Sequence, residues 1–386
     1  MKVAFLDQSG QLGGAELLLL DMIPHLRIEP RVVLLEDGPF REALHTAGIP
    51  VQTVERRKGP RVEVTKRAGL LSLLLALPAV WKMASRVNDA LQGAALIYAN
   101  TPKAWVLGAL AARRLRVPLI CHLHDIISEG HFSRFNRMLL VQAANWTAHA
   151  VIANSEASAR AFVQAGGHAH LIKVIPNGFD LEGFHRRDPA EARGLRTELG
   201  IGRAPLIAMI GRLAPWKGQH VFIEAISQTD GAHGVVVGHA LFTAEDHAYA
   251  DGLPALAASL GCADRMHFLG FRRDVVPVLH EADIVAHCSI QPEPFGRVIV
   301  EAMLCGRAVV VSGEGGAAEI VDAGVTGLHH VPGDASSLAS RLRELLHHPA
   351  RARAMGLAAE RVARDRYSLS RISEQTMTVL KSTLLA

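Results

Sequence analysis

Arg212, Lys217, Glu293 and Glu301 are the side chains best suited to gripping a ligand that is anionic at one end and rich in hydroxyls at the other. Gly211-Arg212 and Lys217-Gly218 follow an apolar run, Leu206–Ile210, that reads as a strand, and a helical pattern begins directly after them. Two cations at a strand end, beside the free N–H groups of a helix start, suit a departing diphosphate. Each phosphoryl oxygen can take a charged donor, so this arrangement calls for no metal. A solvated basic turn is the bland alternative, and the flanking glycines make it the weaker one. Glu293-Pro294-Phe295-Gly296, then Glu301-Ala302-Met303, carry a stronger signal. Glu293 falls in a loop after a strand, Gly296 marks a helix start, and Glu301 lies in the first turns of that helix. Helical rise puts the two carboxylates on the order of 10 Å apart, so they would serve different parts of one elongated ligand. A hydrolytic pair must straddle a single glycosidic bond, which this spacing does not enforce. A carboxylate accepting two neighbouring hydroxyls is a common way to hold a ribose. Surface glutamates on a helix are the alternative.

Three further motifs sit at strand ends. Gly13-Gly14-Ala15-Glu16 follows the first apolar run and opens a helix. Its glycines permit close backbone approach and its helix start offers N–H groups to an anion, although a plain structural turn fits equally well. The spacing is not GxGxxG, which disfavours a dinucleotide dehydrogenase. Ser312-Gly313-Glu314-Gly315-Gly316 is a second glycine-rich turn that either borders the same ligand or is simply flexible. His122-Leu123-His124-Asp125 closes another strand. An HxH pair can hold zinc, but no further His/Asp cluster with ligand spacing follows, and no metal site is expected. Strand alternation is read here as turning one histidine towards the ligand edge and the other into the core. The other histidines, His329-His330 and His347-His348 among them, read as structural or solvated.

The elements that must position these residues follow from an alternation of short apolar runs with helical patterns, the mark of parallel βαβ construction. The chain has 386 residues, long for one core, and 49% of them are hydrophobic. Strands are expected over 3–6, 31–35, 51–54, 96–99, 119–123 and 150–153, with a short run at 173–176. They resume over 206–210, 235–238, 266–269, 284–286, 308–312 and 327–331. Two Rossmann-like doubly wound α/β domains facing across a cleft result. They span 1–180 and 204–366, with a polar connection at 181–203 and a last helix at 367–386 packing back on the first domain. Open parallel sheets bind ligands at the carboxyl ends of their strands, which is where the motifs lie. A formal charge of +4 is small for this length and favours an anionic small ligand over a nucleic acid. Cys121, Cys262, Cys288 and Cys305 lack CxxC spacing and read as buried free thiols in a reducing, cytoplasmic setting.

GGAE after the first strand, HD after the fifth, GRLAPWKG, and EPFGRVIVEAMLCG with its following glycine-rich turn resemble glycosyltransferase family 4, of the GT-B fold. Phe268-Leu269-Gly270-Phe271, Ala282-Asp283 and Asn177-Gly178 also sit where that family places them. The likeness runs nearly the whole length, looser over residues 26 to 95. It implies transfer of a hexose from a UDP- or GDP-linked donor, with retained anomeric configuration and no divalent metal. By the family pattern Arg212 and Lys217 hold the diphosphate, Glu301 the ribose hydroxyls and Glu293 the donor-sugar hydroxyls. Backbone at Gly13, Gly14, Phe295 and Gly296 would contact sugar and phosphates, and His124 would lie near the reacting carbon.

The acceptor is expected on the first domain. Arg56, Arg57, Lys58, Arg61, Lys66 and Arg67 precede the apolar stretch 68–81, a pairing that suits an anionic bilayer surface and a lipid-linked saccharide. A core helix with solvated charges beside it is weighed as near equal. That stretch is too short to span a membrane. The rival functions are a nucleotide-sugar epimerase of the same fold and a non-catalytic nucleotide-sugar binding protein.

Overall fold

The computed structural model describes residues 1–54, 70–130, 132–181, 184, 194–241 and 243–385. The six basic residues between Arg56 and Arg67 lie outside them. The chain divides into two compact units, one made of Met1–Phe179 with Leu369–Ala386, the other of Asp180–Ser368.

In the first unit the strands are β1 (Lys2–Asp7), β2 (Glu29–Leu34), β3 (Val51–Thr53), β4 (Leu96–Ala99), β5 (Leu119–Leu123), β6 (Ala148–Ala153) and β7 (Ile172–Val174). The second unit contributes β8 (Leu206–Ile210), β9 (His233–Val237), β10 (Met266–Phe268), β11 (Ile284–His287), β12 (Ala308–Ser312) and β13 (Gly327–His330). These runs are apolar on both faces because helices cover both, which is the situation of an all-parallel sheet. The sheet orders are β3-β2-β1-β4-β5-β6-β7 and β10-β9-β8-β11-β12-β13, and every pairing is parallel. The doubly wound α/β architecture expected from the alternation is the one observed.

Each order reverses once, between β1 and β4 in one sheet and between β8 and β11 in the other. Connections leave in opposite directions at such a point, so a crevice opens beyond the strand ends. The loops that flank these two crevices carry Asp7, Gly13 and Asn100 in the first unit, and Arg212, Lys217 and Glu293 in the second.

Two helices escape the sequence pattern, Glu156–Gln164 and Pro349–Arg366. The latter buries Met355, Gly356, Ala359 and Ala363, so small residues replace the usual stripe of large apolar ones. A Cβ on Gly356 would stand 2.2 Å from the Gly306 carbonyl oxygen, which shows how closely the backbones meet. The last helix, Leu369–Leu385, inserts Leu369, Ile372, Val379 and Leu380 among Val3, Phe5, Leu96 and Ile152 of the first unit. The Leu369 amide donates to the Phe179 carbonyl at 2.9 Å, tying the helix to the end of the chain's first pass. All four cysteines are free and buried.

Leu380 is fully buried in that core. Leu380→Ala is expected to destabilise the first unit by about 2–5 kcal/mol, the range for a large core side chain cut to alanine. Denaturant unfolding measures it, and a loss below about 1 kcal/mol would show the helix to be loosely docked.

Candidate active site

In the second unit the loops after β8 and β11 meet at the switch point. Gly218 has φ 75°, and a Cβ there would sit 2.1 Å from the Cys288 carbonyl oxygen, so only glycine lets the turn after Lys217 reach the neighbouring loop. The Ile290 amide donates to the Trp216 carbonyl at 2.8 Å, closing the join. The Glu293 loop is held from its other side by the glycine-rich turn. A Cβ on Gly316 would lie 2.3 Å from the Pro294 carbonyl oxygen, and the Gly316 amide donates to the Glu293 carbonyl at 2.7 Å. That turn is therefore a seat for the loop bearing Glu293.

Glu293 is 7% exposed. The Lys217 ammonium donates to its Oε2 at 2.5 Å, the Ser289 hydroxyl at 3.0 Å, and the His287 Nε2–H at 3.2 Å. Burial works to raise this carboxyl. The Lys217 ammonium and the His287 hydrogen bond more than offset it and hold the group well below the usual carboxylate range. Trp216 binds the two cations together: Lys217 Nζ lies 4.3 Å and Arg212 Cζ 5.6 Å from its ring centroid, within cation–π reach. Arg212 and Lys217 are thus gathered on one aromatic ring, with Glu293 bonded to Lys217. Glu301 stands on the helix Arg297–Leu304 that Gly296 opens, ion-paired with Arg297 at 3.8 Å. The Phe295 side chain is buried edge-on to Tyr367, their ring centroids 5.8 Å apart, so a ligand could meet this residue only through its backbone.

In the first unit Asp7, fully buried, ends β1. Asn100 directly follows β4 and His124 directly follows β5. Asn100 Nδ2 donates to Asp7 Oδ2 at 2.6 Å, and its Oδ1 faces His124 Nε2 at 3.0 Å. The Gly13 amide donates to Glu16 Oε2 at 3.0 Å, which fixes the start of the helix Gly14–Met22. Burial pushes the Asp7 carboxyl up to about 6. Burial and then the Asp7 charge push Glu16 up to about 8. The two histidines do not alternate across the strand: both lie on one face, His122 buried and His124 partly exposed. Their ring centroids are 3.8 Å apart, because residues two apart on a strand share a face. His122 is the deeper, with Tyr98 Oη 2.6 Å from its Nδ1, and burial lowers its pKa well below the ordinary histidine value.

Asp7 and Asn100 in the first unit, and Trp216, His287 and Ser289 in the second, stand beside the candidate residues although motif spacing alone does not pick them out. One signal was available for two of them: Asp7 and Asn100 are polar residues at the carboxyl ends of otherwise apolar runs. Among the described residues no helix is long and apolar enough to cross a membrane.

The family profile described as "Glycosyltransferase Family 4" matches residues 12–182, and the one described as "Glycosyl transferases group 1" matches residues 194–362. The crystal structure of Anabaena HepE in complex with UDP and glucose is 41% identical, with a TM-score of 0.88. The match covers 99% of this chain and 100% of that one. The chain belongs to glycosyltransferase family 4. Its GT-B fold follows from the same match. The transferase also aligns with D-inositol 3-phosphate glycosyltransferase of Mycobacterium ulcerans, 32% identical over 57% of this chain and 49% of that one. A GDP-mannose-dependent alpha-(1-6)-phosphatidylinositol monomannoside mannosyltransferase of Mycolicibacterium smegmatis is 31% identical over 53% of this chain and 55% of its own. The match thus spans about half the length of these curated relatives.

A carboxyl whose folded pKa is raised favours the fold below its unfolded pKa and loses that contribution as pH rises through the folded value. For Glu16 the window runs from about 4.5 to about 8. Glu16→Gln keeps an acceptor for the Gly13 amide and removes the titration. Its melting temperature relative to the parent transferase should therefore climb from pH 5 to pH 8 and level off above. Parallel curves for the two proteins across that range would show an ordinary glutamate.

Proposed function

We propose that this transferase moves a hexose from a nucleoside-diphosphate sugar to a saccharide acceptor, with retention of anomeric configuration and without a metal. The observation that carries the reading is the gathering of Lys217 and Arg212 on Trp216 beside the ionised Glu293, at the switch point of the second sheet. Bond cleavage leaves negative charge on the departing diphosphate, and preorganised cations stabilise it as it develops. All three donors to Glu293 address Oε2. Oε1 makes no hydrogen bond among the described residues and is the atom for a donor-sugar hydroxyl. Glu301 takes the ribose hydroxyls, backbone at Phe295, Gly296, Gly13 and Gly14 contacts sugar and phosphates, and His124 borders the reacting carbon. The acceptor oxygen bonds to the anomeric carbon on the face the diphosphate leaves. Its proton passes to the departing phosphate oxygen, so the protein need supply no nucleophile.

A UDP-linked donor is favoured by the likeness to HepE, bound to UDP and glucose, along the whole chain. The acceptor is a lipid-linked saccharide met at the cytoplasmic membrane face through Arg56, Arg57, Lys58, Arg61, Lys66 and Arg67. The mannosyltransferase relative, whose name specifies a phosphatidylinositol glycoside, supports this side of the reading.

Lys217→Ala or Arg212→Ala should each lower turnover by about 10²- to 10³-fold, the usual effect of losing one charge-stabilising donor. A loss within threefold would remove the leaving-group assignment. Thermal-shift titration with UDP-glucose and GDP-mannose separates the donors, since selective binding raises the melting temperature. Product anomers read by NMR test retention. Co-sedimentation with anionic but not neutral vesicles, abolished by neutralising the six basic residues, tests the membrane side. Indifference to both changes would discard it.

A further inference from the structure

We propose that Asp7 and Asn100 are positioning residues for His124, fixing its neutral ring as the Nε2–H tautomer and leaving Nδ1 as the accepting nitrogen. This rests on the reading above, in which His124 borders the donor sugar.

Strands β1, β4 and β5 are neighbours in the sheet, in that order. Each hands over a polar residue at its carboxyl end, and the three form one line: Asp7, Asn100, His124. Residues far apart in sequence are aligned by nothing more than parallel pairing. Asp7 decides the sense of that line. Its hydrogen-bond partners are donors: the Ser9 amide at 2.9 Å and the Thr101 hydroxyl at 3.4 Å on Oδ1, and the Asn100 amide on Oδ2 at 2.6 Å. A carboxylate accepts only, so the end of the Asn100 side chain that meets it must be the NH2. The other end is then the carbonyl oxygen, 3.0 Å from His124 Nε2. An oxygen there requires a hydrogen on that nitrogen. In the neutral imidazole the lone pair is consequently on Nδ1.

The intervening amide matters as much as the acid. A carboxylate bonded directly to imidazole favours the cation, by charge as well as by hydrogen bonding. Asn100 passes on the orientation while keeping the Asp7 charge one residue away. Among the described residues, the titratable groups beside His124 include His122, against its ring, and Asp125, next in the chain. Glu16 stands beyond them, within electrostatic reach of both Asp7 and Asp125. His122 is kept neutral by burial, so it adds no charge of its own. An accepting nitrogen at this point takes a sugar hydroxyl and disfavours a sugar carboxylate, which fits a hexose donor better than a hexuronate.

The test exchanges the first two members of the line. In Asp7→Asn/Asn100→Asp the new amide donates to the new carboxylate, which then bonds His124 directly. The full chain, with its 20 histidines labelled with nitrogen-15, is assigned for this ring by the signal missing in His124→Gln. The parent is expected to show the Nε2–H tautomer at pH 7.5. In the exchanged variant the pKa of His124 should rise by about one unit or more. The acid limb of kcat should move with it, while KM for the donor changes less than about threefold. Asn100→Ala should lose the tautomer preference, and it serves as the readout should the exchanged protein not fold. An Nδ1–H tautomer in the parent would overturn the proposal, as would a His124 titration unmoved by the exchange or a tautomer unmoved by Asn100→Ala. Absence of sugar transfer by the parent would sink the functional reading alone, because the tautomer is measured without substrate.

Discussion

A carboxylate shut away from water stays ionised only where donors replace the water it lost, and Glu293 has three of them on one oxygen. Much of the second unit is arranged to make this possible. Lys217 reaches Glu293 because Gly218 lets the loop after β8 touch the loop after β11. The Glu293 loop in turn cannot retreat, since Gly315 and Gly316 leave no side-chain volume beneath it. Trp216 completes the arrangement by giving two like charges a common attractive surface. Desolvation that would otherwise neutralise the acid strengthens its bond to the ammonium instead.

The first unit places an acid at the equivalent point of its own sheet and reaches the opposite electrostatic result. Asp7, like Glu293, is buried near a strand-order reversal, and it is hydrogen-bonded on both carboxylate oxygens. Its partners are neutral: an amide, a hydroxyl and a backbone N–H. Without a cation the cost of burial prevails, and its pKa is pushed up to about 6 rather than down. Same topology, different neighbours: one acid is fixed as a charge and the other is left able to titrate near neutrality.

Most of the scaffold was legible because parallel strands buried on both faces write themselves as apolar runs. Ala308–Ser312 appears with the boundaries its pattern suggests. The helix Pro349–Arg366 was not legible, since it packs through Gly356, Ala359 and Ala363 and shows no stripe. Among site residues, Arg212, Lys217 and Glu293 announce themselves through charge beside glycine at strand ends. His287 and Ser289 do not: one lies at the end of β11 and the other just beyond, and only the fold turns both onto Glu293. That Asp7, Asn100 and His124 form one line needed the strand order, which no local pattern contains. The histidine pair was misread because residues two apart were assigned to opposite faces of a strand.

The return of Leu369–Leu385 to the first unit orders events during synthesis. A chain emerging from the ribosome presents β1 to β7 early, but the apolar face that this helix covers stays open until the whole of the second unit has been made. Val3, Phe5 and Ile152 wait for a partner that follows the second unit in sequence. The face made before the second unit is therefore closed only after that unit has followed it, and a nascent chain must keep that face from other company until then.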